Sequence, residues 1–138
     1  MRILLDTNVV LDVLLKREPH WIASANVFAQ VETSVHEGLL CATTITTLHY
    51  LIGKELTPTN SNRAINTLMS LFEIAAVNRS IIESALAGKM PDFEDAVLAH
   101  AGLRAAADFI ITRNLKDFKR SPLPSFSPTQ WLATHSRS

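Results

Sequence analysis

The stretch "RILLDTNVVLDVLL", residues 2–15, decides the fold. Ile3, Leu4 and Leu5 form a continuous apolar run, the pattern of a strand covered on both faces. From Thr7 onward the apolar residues fall at Val10, Leu11, Leu14 and Leu15, the spacing of one face of a helix. Asp6 therefore stands where a strand ends and a helix begins. In an open parallel sheet that junction lies at the carboxyl edge of the strands, where ligands bind. Asp6 or Thr7 can equally cap the helix by accepting a bond from an otherwise unpaired backbone N–H, and one residue can do both.

The remaining chain repeats the alternation. After a break at Pro19, residues 22–35 carry apolar side chains at helical spacings, with a stop expected near Gly38. "LLCATTIT", residues 39–46, is rich in β-branched and apolar residues and reads as a second strand. "TLHYLIGKEL" reads as a helix, "TPTNSN" as a loop, Arg63 to Phe72 as a further helix and "EIAAV", residues 73–77, as a third strand. Ser80 is expected to cap the helix "IIESALAG", with Gly88 as its stop. The alanine-rich "DFEDAVLAHAGLRAAA" has high helix propensity and small side chains, which suit close packing at the centre of the fold. "DFIIT", residues 108–112, reads as a fourth strand, and "SPTQWLATH" as a short capped helix. Strands alternating with helices predict an α/β sandwich with a mainly parallel sheet.

The length of 138 residues matches a single domain spanning 1–138, large enough to bury a core without disulfides or a structural metal. Hydrophobic residues make up 47% and charged residues 19%, which excludes a disordered chain. Thirteen basic and 13 acidic side chains cancel, so any nucleic-acid contact must come from local clustering. The one cysteine, Cys41, forms no internal disulfide, suits a reducing compartment and reads as a core residue. No apolar run approaches a membrane span and no signal-peptide pattern opens the chain, so a cytoplasmic protein is expected.

In such a fold the ends of the first and fourth strands and the start of the alanine-rich helix converge. The acids gather there. Asp6 ends strand one, Asp92 and Asp95 open the helix one turn apart on one face, and Asp117 follows strand four near Asn114. Carboxylates brought together repel one another unless they take up protons or share a cation. A hard divalent ion, Mg2+ or Mn2+, suits oxygen ligands and can hold a phosphate. Asp92 and Asp95, after Pro91, also fit a capping arrangement that favours the helix dipole.

Three blocks, "LLDTNVVLDVLLKREP", "DFEDAVLAHAG" and "ADFIITRNLKDF", in this order, resemble the PIN-domain family, in the branch similar to VapC-type toxin ribonucleases. The resemblance implies a three-layer sandwich, an acid cluster binding Mg2+ or Mn2+, and endonucleolytic cleavage of RNA. It also implies a homodimer and, for a toxin, a small antitoxin partner. The matching positions are Asp6 and Asp95 for the principal acids, with Asp92 as accessory ligand or cap. Asn8 and Thr112 match positions that orient the acids or a water. Asn114 stands where the family often has its last acid, leaving Asp117 as the nearest carboxylate. On the helix after strand two, where the family commonly has glutamate, the residue matched is His49. Histidine there would favour Mn2+ over Mg2+, or it is simply a packed, hydrogen-bonded side chain.

Arg113, Lys116, Lys119 and Arg120 surround Asp117, and Lys16 and Arg17 close the first helix. Cations outside and carboxylates inside suit phosphodiester cleavage, with Arg113, Lys116 and Lys119 as expected substrate contacts; a solvated basic loop has the same composition. A phosphatase of another α/β family would want a second acid at position 8, which is asparagine, and a response-regulator-like module would want a lysine where "TRN" stands. A PIN-like chain with weakened chemistry that only binds RNA or a protein stays open, because His49 and Asn114 each remove a negative charge from the expected cation site.

Overall fold

The computed structural model describes residues 1–135. Five strands, β1 (Arg2–Leu5), β2 (Glu37–Cys41), β3 (Glu73–Ala75), β4 (Phe109–Ile111) and β5 (Ser125–Phe126), form one sheet in the order β3-β2-β1-β4-β5. Every pairing is parallel, with Leu4 opposite Leu39 on one side and Ile110 on the other. Among the described residues seven helices cover the sheet: α1 (Thr7–Leu14), α2 (Trp21–Glu32), α3 (Ala42–Glu55), α4 (Pro58–Leu71), α5 (Arg79–Ala87), α6 (Phe93–Arg104) and α7 (Pro128–His135). A 3₁₀ turn, Leu115–Phe118, follows β4.

Alternation along β1 sorts the two cores. Ile3 and Leu5 face a cluster built with α1, α2, α3, α4 and α7, including Val27, Leu48, Leu68 and Trp131. Leu4 faces the opposite cluster, built from α5 and α6 around Ala96, Val97, Ala99 and Ala101. The alanines bring α6 close to the sheet, and Gly102 is required where they meet: a Cβ there would lie 2.7 Å from Leu4 Cδ2. The result is the α/β sandwich with a parallel sheet expected from the alternating pattern, in the three layers that the family resemblance implies.

Four local expectations are corrected. "TTIT" is helical: β2 ends at Cys41, whose extended backbone turns the chain into α3 at Ala42. "TPTNSN" is the first part of α4, because Thr57 Oγ1 accepts from Asn60 N (3.2 Å) and Pro58 takes the first helical position, where its missing N–H costs nothing. Gly38 lies inside β2, and the chain leaves α2 earlier through Ser34, whose φ of 61° is left-handed. Asn78, not Ser80, caps α5, its Oδ1 accepting from Ile81 N at 3.1 Å. The short β5 was not expected from the sequence. Gly88 ends α5, and Ser127 opens α7 by a reciprocal pair of bonds with Gln130, both 3.1 Å, as a capped helix requires. Cys41 is buried and free, and among the described residues no helix is long and apolar enough to cross a membrane.

Candidate active site

β1 is flanked by β2 on one side and β4 on the other, so the chain crosses over in opposite directions about it. Outside the carboxyl ends of such strands a crevice opens. Here it is a cleft of about 270 Å³ walled by Asp6, Asp92, Glu94, Asp95, Asn114 and Asp117. Thr7 and Asn8 of α1 and Thr43, Thr44 and Thr47 of α3 complete it.

Asp6 is the deepest acid, 4% exposed. Its Oδ1 accepts from Thr7 N and its Oδ2 from Thr112 Oγ1, both at 2.8 Å, so it caps α1 and points into the cleft at once. Thr112 Oγ1 also accepts from Asn114 N (3.0 Å), tying the chain after β4 to the same carboxylate. Burial raises the Asp6 pKa; the bonds from Thr112 and Thr7 oppose the shift.

Asp92 caps α6, its Oδ1 accepting from Asp95 N at 2.9 Å, and lines the cleft as well. Cap and candidate ligand are thus one residue. Asp95 lies one turn into the site. Burial, then the charges of Asp6, Asp92, Asp117 and Glu94, push its pKa up to about 7. A carboxylate held near neutrality by its own kind needs a proton or a cation.

The donor set is all oxygen, which fits Mg2+ or Mn2+. Among the described residues, no three His, Cys, Asp or Glu side chains are placed to enclose an ion together. Magnesium needs fewer, since it is commonly held by one or two carboxylates and keeps its remaining positions for water and phosphate. Asp6 and Asp95 are the two whose surroundings disfavour free charge, so they are the fitting pair.

Other expected residues fall elsewhere. His49 does not join the cluster: its Nε2 hydrogen-bonds Asn62 Oδ1 of α4 at 2.7 Å, on the exposed side of α3. Because α3 begins at Ala42, the side chains it turns to the cleft are Thr43, Thr44, Thr47 and Leu51. Arg113 is not a free cation beside Asp117. Its Nε donates to Asp12 Oδ2 (2.6 Å) and its Nη2 to Asp12 Oδ1 (3.3 Å), and Arg17 Nε donates to the same Oδ1 at 2.9 Å. Lys116 and Lys119 are exposed around the 3₁₀ turn. Glu94 and the α3 threonines were missed by sequence reasoning. Glu94 adjoins Asp95, and the spacing of Thr43 and Thr47 was the available signal once the end of β2 is known.

An acid cleft at the crossover of a five-stranded parallel sheet, with a threonine after β4 supporting the acid of β1, defines a class of protein. A family model described as the PIN domain matches residues 2–116, and the chain belongs to the PIN-domain family. No curated protein matches the sequence significantly. Similar solved structures include FitAcB from Neisseria gonorrhoeae, at 20% identity and TM-score 0.70, covering 92% of this chain and 98% of that one. VapBC-1 from nontypeable Haemophilus influenzae is 20% identical at TM-score 0.68, covering 94% and 99%. A toxin–antitoxin complex from Klebsiella pneumoniae is 22% identical at TM-score 0.68, covering 91% and 96%. At these identities the likeness is one of fold.

Proposed function

We propose that the chain is a metal-dependent endoribonuclease, the toxin of a type II toxin–antitoxin pair, acting in the cytoplasm as a homodimer held in check by a small antitoxin. The observation that carries the chemistry is Asp95, pushed up to about 7 in a cleft it shares with Asp6, Asp92, Glu94 and Asp117. Family membership supports nuclease chemistry, and the toxin–antitoxin complex among the similar folds supports the partner. Mg2+ or Mn2+, when bound, supplies a Lewis acid for the phosphate and for the attacking water. Asp6 and Asp95 would hold the ion, with Asp92 Oδ2 as an accessory oxygen. Thr112 orients Asp6 through its donated hydrogen bond, and Asn8 and Asn114 offer amides at the rim. Asp117, a further carboxylate of the cleft, would be the side chain suited to take a proton from water. Lys116 and Lys119, exposed around the 3₁₀ turn that carries Asp117, would meet backbone phosphates.

A second reading, a PIN-like module that binds RNA or a protein without cutting, is favoured by one observation: α3 gives the cleft only hydroxyl and apolar side chains, and position 114 is an amide. One assay separates the two. Structured and single-stranded RNAs are incubated with Mg2+, Mn2+ or EDTA, using wild type, Asp6→Asn and Asp95→Asn. Cutting should require metal and vanish in both variants. Cutting that persists in EDTA removes the metal mechanism, and no cutting with either metal leaves the binding module. Size by light scattering checks the dimer, and co-expression with the neighbouring reading frame checks the antitoxin.

A further inference from the structure

The acid cleft is lined by five carboxylates and no cation, so it cannot by itself anchor a polyanion. The neighbouring cavity is of the opposite kind. About 270 Å³ in volume, it lies between the α1–α2 connection and the start of α7, lined by Pro19, His20, Ala23, Arg113, Ser127 and Thr129 among others, with no acid in its wall. Arg113 and Asn114 are consecutive, yet one lines this cavity and the other the cleft, so the segment after β4 contributes to both.

Arg113 is held in place for this. Asp12, wholly buried, accepts from its Nε and Nη2, and among the described residues Nη1 has no partner. Asp12 also pairs with Arg17, so two guanidinium groups share one carboxylate and leave one positive charge over. A guanidinium already fixed by a buried fork surrenders little rotamer freedom when its free edge meets an anion. The His20 ring and the Thr129 hydroxyl make no hydrogen bond among the described residues, while Ser127 Oγ accepts from Gln130 N and keeps its own proton to donate. Ser127 N and Gln130 N at the start of α7 are thereby satisfied, while Thr129 N has no hydrogen bond among the described residues and adds a backbone donor to the side-chain donors of the cavity. The nearby carboxylate of Glu18 is engaged by Trp21 Nε1 at 2.8 Å.

We propose that this cavity binds a backbone phosphate of single-stranded RNA adjacent to the one in the acid cleft, with Arg113 Nη1, His20 and the hydroxyls of Ser127 and Thr129 as donors. The inference rests on the reading of the cleft as an RNA-cleaving site and gives that site its anchor. Arg113 is then a substrate contact through Nη1 alone.

The test uses the full chain in EDTA, where cutting does not intervene. Inorganic phosphate and a five-nucleotide single-stranded RNA are titrated while the Arg113 Nε–H and His20 ring resonances are followed by NMR. Both ligands should move these resonances, and the RNA should bind at least ten-fold more tightly than phosphate, because its further phosphates meet the exposed Lys116 and Lys119 outside the acid cleft. Thr129→Asp, at an exposed position near a helix start where an acid is tolerated, should weaken RNA binding about ten-fold by placing like charge in the cavity, with thermal unfolding unchanged. His20→Ala should weaken it several-fold. Resonances that do not move, RNA affinity unchanged in Thr129→Asp, or phosphate bound as tightly as RNA would each overturn the proposal. RNA cut with metal but insensitive to Thr129→Asp refutes this inference alone; RNA bound here yet never cut refutes the nuclease reading alone.

Discussion

Asp95→Asn isolates the electrostatic load of the cleft. The Asp95 carboxyl is raised from its ordinary value of 3.8 to about 7, by burial first and then by the surrounding acids. The folded chain therefore keeps this proton at pH values where the unfolded chain has released it. Stability contributed by the protonated group is complete below about pH 4 and falls as pH rises to 7, above which both states are ionised and the slope ends. At about 1.4 kcal/mol per pH unit the whole displacement is at most ~4 kcal/mol. Asp95 is only half-buried, and solvent screening reduces this to ~1–2 kcal/mol. Asparagine keeps the shape and cannot ionise. In EDTA at pH 8 the variant should unfold roughly 3–8 °C above wild type, while at pH 4 the two should melt nearly together. Mg2+ should narrow the gap at pH 8 by stabilising wild type selectively. Calorimetric scans at pH 4, 6 and 8, with EDTA or Mg2+, measure all of this. A variant that runs parallel to wild type across the whole pH range, or melts lower at pH 8, refutes the view that Asp95 carries the repulsion.

Asp12→Ala should cost about 2–3 kcal/mol in urea unfolding, less than for a fully buried pair because both guanidinium groups reach solvent; a loss under 0.5 kcal/mol would mean that the fork contributes little. Gly102→Ala forces a methyl to within 2.7 Å of Leu4 Cδ2 and should destabilise by about 1–3 kcal/mol, read from the same midpoint. Thr47→Glu should tighten Mg2+ binding in calorimetric titration, whereas His49→Glu, facing Asn62, should leave it unchanged; the reverse ranking would mean that α3 presents its other face to the cleft.

The first strand and helix were legible because burial on both faces and helical period each leave a plain mark, and residues 2–15 carry both in succession. The two helix starts that were misread share a physical cause. At Ala42 and Pro58 the local residues, threonines and a proline, favour strand or loop by propensity, and the helix is set instead by what precedes it: an extended Cys41 and a capping Thr57. β5 has two residues, too few for any period to show. Asp12 illustrates a different limit. Its partner Arg113 is 101 residues away, and nothing local marks an aspartate as the buried centre of two ion pairs.

The start of α3 at Ala42 and the outward placement of His49, hydrogen-bonded to Asn62, have a joint chemical consequence. Successive helical residues turn by about 100°, so a side chain two positions from Thr47 points across the helix axis from it. With the strand ending at Cys41, Thr43, Thr47 and Leu51 fall on the cleft side and His49 on the solvent side, against α4. The wall that α3 supplies is therefore uncharged, and every carboxylate of the cleft comes from the end of β1, the start of α6 and the turn after β4. A cation in this cleft would be held from one side only. The hydroxyl groups of Thr43, Thr44 and Thr47 opposite the acids would neither repel a phosphate nor compete with it for the metal. Weaker cation affinity and freer access for a phosphodiester would then follow from the same helix register.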